Sequence, residues 1–218
     1  MPEKNKKLVL EKISNADMVL VGVGKELAAD EKETVQYREI ESTYEQLARL
    51  LADKNYFVVT TNTDDCILHS SITTDRIVAP CGSIHRFQCS KGCTEQIFDA
   101  KDAGICPVCG AALCENTVKA EHYVEAGYLP QWNRYMKWLP GTLNKQLCVL
   151  ELGVLMDFPT IIRFPFEKTT FINEKAFLIR INERLPQLSA ELKGRGMSVR
   201  CRPSAFLNDC FTEKNMID

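Results

Sequence analysis

Two closely spaced pairs of cysteines lie in one short stretch of the chain: Cys89-x3-Cys93, then twelve residues, then Cys106-x2-Cys109. Two such pairs let four thiolates converge as a tetrahedron, which suits zinc. The second pair sits in Cys106-Pro107-Val108-Cys109-Gly110. Proline and glycine there permit the tight turn that points backbone amides at a sulfur. Four sulfurs leave no open coordination position, so the expected role of the metal is structural. Two disulfides are the alternative use of the same residues. The chain has ten cysteines in 218 residues, and residues 1–14 lack the apolar stretch and cleavage site of a signal peptide. That points to a reducing, cytoplasmic location, where clustered cysteines more often hold metal.

Outside this segment the pattern is that of a buried parallel sheet. Asp17–Val23, Tyr56–Thr61, Leu147–Leu152, Ala176–Ile181 and Met197–Cys201 are apolar at nearly every position, as strands covered on both faces are. Helical patterns at Leu8–Asn15 and Ser42–Asp53 precede the first and second of them. Strand–helix alternation predicts an α/β fold with a doubly wound, parallel, Rossmann-like sheet. The cysteine-rich segment has no long apolar strand and reads as a small inserted module. The predicted division is 1–83 and 146–218 for the sheet domain and 84–145 for the zinc-binding and helical insert. Such an insert has too little core to fold alone, and structural zinc supplies on the order of 10 kcal/mol. Trp132, Tyr135 and Trp138 form an aromatic stripe at helical spacing, expected to pack into a core. With a net charge of -2 there is no basic excess to bind nucleic acid, and the apolar runs are too short to span a membrane.

Two polar clusters fall where parallel sheets place ligands. Gly22-Val23-Gly24 ends the first strand, where glycines let a backbone approach a phosphate; a plain strand-to-helix turn uses the same residues. The second strand ends in Thr60-Thr61-Asn62-Thr63-Asp64. Asn62 and Asp64 suit a carboxamide and ribose hydroxyls, and equally suit an Asx turn and a helix cap.

Thr60-x-Asn62-x-Asp64 resembles the start of the T-Q-N-I-D-x-L-H motif of the sirtuin family. Cys81-Gly82-Ser83 stands where sirtuins have His-Gly-Ser. Leu150-Glu151-Leu152-Gly153-Val154, followed by Pro159, is similar to the G-T-S-x-x-V-x-P strand, and Ile181-Asn182 to the family's I-N. The matches run in family order. Phe87-Gln88-Cys89 at the start of the zinc module, the Glu-Leu-Gly-Val strand and Ile161-Ile162-Arg163-Phe164-Pro165-Phe166 resemble in particular the macrodomain-linked bacterial class, class M. The resemblance implies a Rossmann domain and a small zinc domain with NAD bound between them. It implies cleavage of the nicotinamide–ribose bond, with protein ADP-ribosylation or residual deacylation as the outcome, and a protein substrate that carries a modified or lipoylated lysine. Gly22 and Gly24 would face the pyrophosphate. Asn62 and Asp64 would hold the nicotinamide ribose and carboxamide. Gly153 and Asn182 would contact the adenosine half, and Cys201 the adenine.

The sequence departs from the family in three ways. Cys81 replaces the general-base histidine, and a thiol acts as a base only if its pKa is lowered. His85, four residues on, is a candidate substitute. The G-I-P-D-F-R loop is absent: Gly24 is followed by Lys25-Glu26-Leu27-Ala28-Ala29-Asp30. Thr61 and Val154-Leu155 replace hydrogen-bonding residues of the motifs. The alternative to an enzyme is therefore a non-catalytic homologue that binds NAD or a partner protein without turnover.

Overall fold

The computed structural model describes residues 3–30, 32–102 and 104–211. In chain order the larger elements are α1 (Glu3–Ser14), β1 (Met18–Val23), α2 (Thr34–Leu51), β2 (Asn55–Thr60), β3 (Ile77–Val78), β4 (Gly82–Cys89), β5 (Phe98–Asp99) and β6 (Leu113–Thr117). They continue as α3 (Leu129–Trp138), β7 (Leu147–Leu152), α4 (Arg163–Ile172), β8 (Phe177–Ile181), β9 (Gly196–Val199) and α5 (Pro203–Cys210). Six strands form one parallel sheet in the order β3-β2-β1-β7-β8-β9. From β1 the chain steps outward to β2 and β3, then returns on the other side of β1 as β7. The strand order therefore reverses between β1 and β7, and this is the topological switch point at which such sheets bind ligands.

The apolar runs have the buried environment their composition requires. Val19, Val21 and Val23 of β1 share a core with α1, α2 and α5. Met18 and Leu20 of the same strand face α3 and α4. Helices cover both faces of the sheet, so no position of β1 or β7 is free to be polar without a partner. The aromatic stripe packs as expected: Tyr135 and Trp138 of α3 lie 5.7 Å and 5.3 Å from the Phe57 ring. Thus α3, although within 84–145, packs on the large sheet.

Several elements exceed what the sequence pattern indicates. α2 begins eight residues before the expected Ser42, because its first two turns are polar and only Ile40 among them is buried. β3 is two residues long and gives no periodic signal. The strand expected over Met197–Cys201 runs from Gly196 to Val199. α4 takes in the Arg163–Phe166 stretch, and α5 starts at Pro203, a favoured first-turn residue.

One charged pair is buried in the sheet. Glu151 of β7 stands opposite Arg180 of β8, with 0% and 1% exposure. Arg180 donates to both Glu151 oxygens at 2.6 and 3.0 Å and to Glu167 of α4 at 2.8 Å. Burial pushes the Glu151 carboxyl up and the Arg180 guanidinium opposes the shift. Arg163 of α4 donates to the carbonyls of Val154 and Leu185, binding the loops after β7 and β8 to the helix.

The small lobe is a three-stranded antiparallel sheet in the order β5-β4-β6. Its inner polar residue, Gln88, donates to His122 O and accepts from Asn116 and Val124 N. The lobe is held to the large sheet by Ile84 N on Thr63 O at 2.9 Å and by the Ser83 hydroxyl on Asp65 at 2.5 Å.

Removing one partner of the buried pair leaves an uncompensated charge. Glu151→Ala is expected to cost about 3–5 kcal/mol of unfolding free energy in urea titration. A loss below about 1 kcal/mol would show that the pair is not buried in solution.

Candidate functional site

At the switch point, the loop after β1 lies directly on the loop after β7. A Cβ on Gly24 would fall 2.5 Å from Val154 Cα and 2.7 Å from Gly153 O. Gly153 has a φ of 64°, and a Cβ there would fall 2.5 Å from Glu26 Cβ. Both positions exclude side chains, so the loop carrying Lys25–Leu27 folds flat across the carboxyl ends of the strands. Gly24 N bonds Leu152 O and Glu26 N bonds Gly153 O, at 2.9 and 3.2 Å. Gly22 lies deeper. Its absent side chain is replaced by Ile162 and Phe166, 2.5 and 2.8 Å from an ideal Cβ. Gly22 thus lets α4 pack onto β1, and its Cβ side faces the helix core.

Asn62 and Asp64 meet the same loop from the β2 side. Asn62 donates to Gly24 O at 3.1 Å and to the Tyr44 hydroxyl at 3.3 Å, and Tyr44 in turn donates to Leu27 O at 2.7 Å. Asp64 accepts from Ala29 N and Cys66 N, each at 3.0 Å. Burial raises the Asp64 carboxyl, while these two amides and nearby His85 oppose the rise. Tyr44 is fully buried, which raises its phenol well above the usual value. Tyr44 was invisible as a site residue because it sits on the apolar face of α2, where a tyrosine reads as packing.

On the far side, Asn182 is fully buried. It donates to Val154 O at 2.8 Å and accepts from the amides of Arg184 and Leu185. The Glu26 carboxylate reaches the same turn, accepting from Glu183 N at 2.9 Å and Arg184 N at 3.1 Å. Cys201, just beyond β9, has its thiol raised first by burial and also by the charges of Glu26 and Glu183. Gly24, Asn62, Asp64, Gly153, Asn182 and Cys201 therefore ring one edge of the sheet, with the Lys25–Ala29 loop among them. Glu26 follows Gly24 so closely that the motif alone could have drawn attention to it.

Cys81 is 0% exposed. Burial alone pushes its thiol to about 12. It stays protonated at neutral pH, so it does not fit the role of a base. The next residues of the strand are rearranged. Between Ser83↔Asn116 and Phe87↔Glu115 the β4–β6 ladder shifts register, and Ile84, His85 and Arg86 bulge out. Such bulges re-aim side chains. Here His85 comes within electrostatic reach of Asp64, and Arg86 lines a cavity of about 410 Å³ together with Asp65, His69, Tyr128 and Gln131. This cavity lies between the two lobes.

The four cysteines converge. Their sulfurs all lie within 4.8 Å of one another, with Cys89–Cys109 and Cys93–Cys106 at 3.5 Å. Tetrahedral zinc with bonds of about 2.3 Å requires sulfurs about 3.8 Å apart, so the cluster fits a zinc site. The Cys93 amide is the main cause that lowers the Cys89 thiol to about 6. At Cys106, burial is overcome by the amides of Cys109 and Val108, and the thiol is lowered. Gly110, at φ 71°, closes the turn, with its N bonded to Cys106 O at 2.9 Å. No disulfide forms among the described residues. No helix among them is long and apolar enough to cross a membrane.

No family model matches the chain. A protein ADP-ribosyltransferase of Staphylococcus aureus strain Mu50 is 24% identical over 200 residues, covering 80% of this chain and 64% of that protein. The chain thus spans somewhat under two thirds of the length of this relative. Among solved structures, Sir2 bound to an acetylated peptide superposes with a TM-score of 0.59 at 11% identity, covering 93% of this chain and 95% of that one. A Sir2 variant with a deacetylated p53 peptide and 3'-O-acetyl ADP-ribose gives 0.59 at 10% identity, over 96% and 98%. The chain has the Sir2 fold, in a divergent form.

Two outcomes follow from this geometry. Gly153→Ala combines a left-handed backbone with a clash on Glu26, and should cost about 2 kcal/mol or more by urea titration; an unchanged midpoint would mean that the two loops do not touch. Asp64 has a raised folded-state pKa, so the folded state binds more protons than the unfolded one. Its contribution to stability therefore falls as pH rises from about 3.9 through the folded value. Asp64→Asn should remove that falling limb, read as the difference between parent and variant stability across pH 4 to 7.

Proposed function

We propose that this Sir2-fold chain is an NAD-dependent transferase that cleaves the nicotinamide–ribose bond and passes ADP-ribose to a protein acceptor. One observation carries the reading: Gly24, Asn62, Asp64, Gly153, Asn182 and Cys201, far apart in sequence, gather at the switch point of a parallel sheet. The donor set suits a dinucleotide. The amide pair of Glu183 and Arg184 already receives an oxyanion, the Glu26 carboxylate, so it is shaped for a phosphate oxygen. In this reading Asn62 and Asp64 orient the nicotinamide ribose and its carboxamide. Gly24 and Gly153 keep side chains away from the pyrophosphate, and Asn182 and Cys201 border the adenosine. NAD, when bound, supplies the cleavable glycosidic bond.

ADP-ribosylation is favoured over deacylation because Cys81 is a buried, protonated thiol. Deacylation needs a base at that position to take a proton from a ribose hydroxyl. The name of the staphylococcal relative is in keeping with this preference. The interlobe cavity, with Arg86, His69 and Tyr128 on its walls, offers room for a side chain of the protein substrate, one that carries a modified or lipoylated lysine. In the same reading 84–145 forms the zinc-stabilised lobe, 1–83 and 146–218 form the nucleotide-binding domain, and the protein works in the cytoplasm. A second reading is favoured by the bonds that Asn62 and Asp64 spend on the Gly24–Ala29 loop: a homologue that binds NAD or a partner protein without turnover.

Nicotinamide release from NAD, measured beside direct NAD binding, separates the two. Release above a heat-killed control is expected, and Asn62→Ala and Asp64→Ala should each abolish it. Binding without release favours the second reading, and variants indistinguishable from the parent overturn the site. Metal analysis of the purified chain should give about one zinc per chain. Full retention of the folded small lobe after chelation would refute a structural metal.

A further inference from the structure

The feature of the crevice that the proposed reaction does not use is Glu26. Its Cβ packs on Gly153, in the space that the glycine leaves open. Its carboxylate accepts from two successive amides beyond the end of β8: Glu183 N, and Arg184 N, which it shares with Asn182 Oδ1. Arg184, Arg200 and Arg202 lie along the same stretch of surface, and Arg202 pairs with Glu183 at 3.2 Å. Two adjacent amides suit an anion, and Arg200 and Arg202, which bond Glu183, keep positive charge beside them. Glycines at 24 and 153, where a backbone can come close to a phosphate, stand beside them. A negative side chain of the chain itself occupies that position.

We infer that the Glu183–Arg184 amide pair is an anion subsite for the nucleotide's phosphates and that Glu26 is its specificity-determining occupant. A phosphate oxygen reaches these amides only when the Glu26 carboxylate leaves them, and a remaining carboxylate repels it. The apparent affinity for a phosphate-bearing ligand is then the intrinsic affinity reduced by the fraction of molecules in which Glu26 is displaced. A ligand without phosphate meets no such competition. The crevice therefore discriminates against loosely held anions, and admits a dinucleotide only when its other contacts are strong enough to move Glu26. This rests on the reading of the crevice as a nucleotide site.

The test is calorimetric titration of the full chain with ADP-ribose, inorganic pyrophosphate and adenosine. Glu26→Ala should bind ADP-ribose and pyrophosphate at least about tenfold more tightly than the parent, with adenosine unchanged. Glu26→Gln keeps the shape of the side chain and an acceptor for one amide, so it preserves the loop and should show a smaller gain of the same sign. Circular dichroism melts confirm that each variant folds. Equal or weaker anion binding in both variants overturns the inference, and a loss of adenosine binding would make Glu26 a nucleoside ligand instead. The outcome is separable from the enzymatic reading. Tighter anion binding without nicotinamide release sustains this inference and removes the other; release by the parent with unchanged anion affinity does the reverse.

Discussion

The contact on which the site depends is the one between the loops after β1 and β7. Gly24 lies against the Gly153–Val154 backbone, and Gly153 lies under Glu26. Neither glycine can carry a Cβ without moving backbone or shifting the other loop. Because the two loops touch, the segment from Lys25 to Ala29 runs flat over the strand ends. It then meets Asn62 and Asp64 on one side and the Glu183–Arg184 turn on the other. The strand order alone would leave an open crevice. The paired glycines decide what crosses it.

The sheet was legible because its strands are apolar at nearly every position, as burial on both faces requires. The cysteine cluster was legible because cysteine spacing is local. Elements whose signal is not local were missed or shortened. The first half of α2 is a solvated polar surface, and β3 is too short to show a period. The candidate site residues came from motifs, and a motif does not say which bonds each one makes. Asn62, Asp64 and Asn182 each bond a backbone group of a neighbouring loop. Gly22 turned out to serve helix packing, which a glycine in a strand never reveals by itself. Tyr44 and Glu26 gained meaning only when partners distant in sequence were placed beside them.

The two lobes are tied by few but well-placed bonds. Ser83 reaches Asp65, Ile84 reaches Thr63, and the bulge of β4 turns His85 and Arg86 toward the large sheet. A position that holds a histidine in the resembled family holds a sealed thiol here, while a histidine arrives on the bulge four residues later. One of the groups acting on Asp64, His85, thus comes from an irregularity of the small lobe's sheet, so the order of that lobe bears on the electrostatics of the crevice.

The distribution of thiol acidity also divides the molecule. Cys66, Cys81 and Cys148 are buried with thiols pushed up to about 12, whereas in the cluster the backbone amides lower the Cys89 thiol and the neighbouring sulfurs raise that of Cys93. Reagents reach exposed sulfurs first, and Cys93 and Cys109 are exposed while the sheet's thiols are buried, so the small lobe is the part of the chain that thiol chemistry meets. When the four sulfurs are ligated their nucleophilicity is masked. Alkylation or oxidation of the native chain would therefore strike first where metal has been lost, turning the small lobe into the molecule's own indicator of oxidative damage.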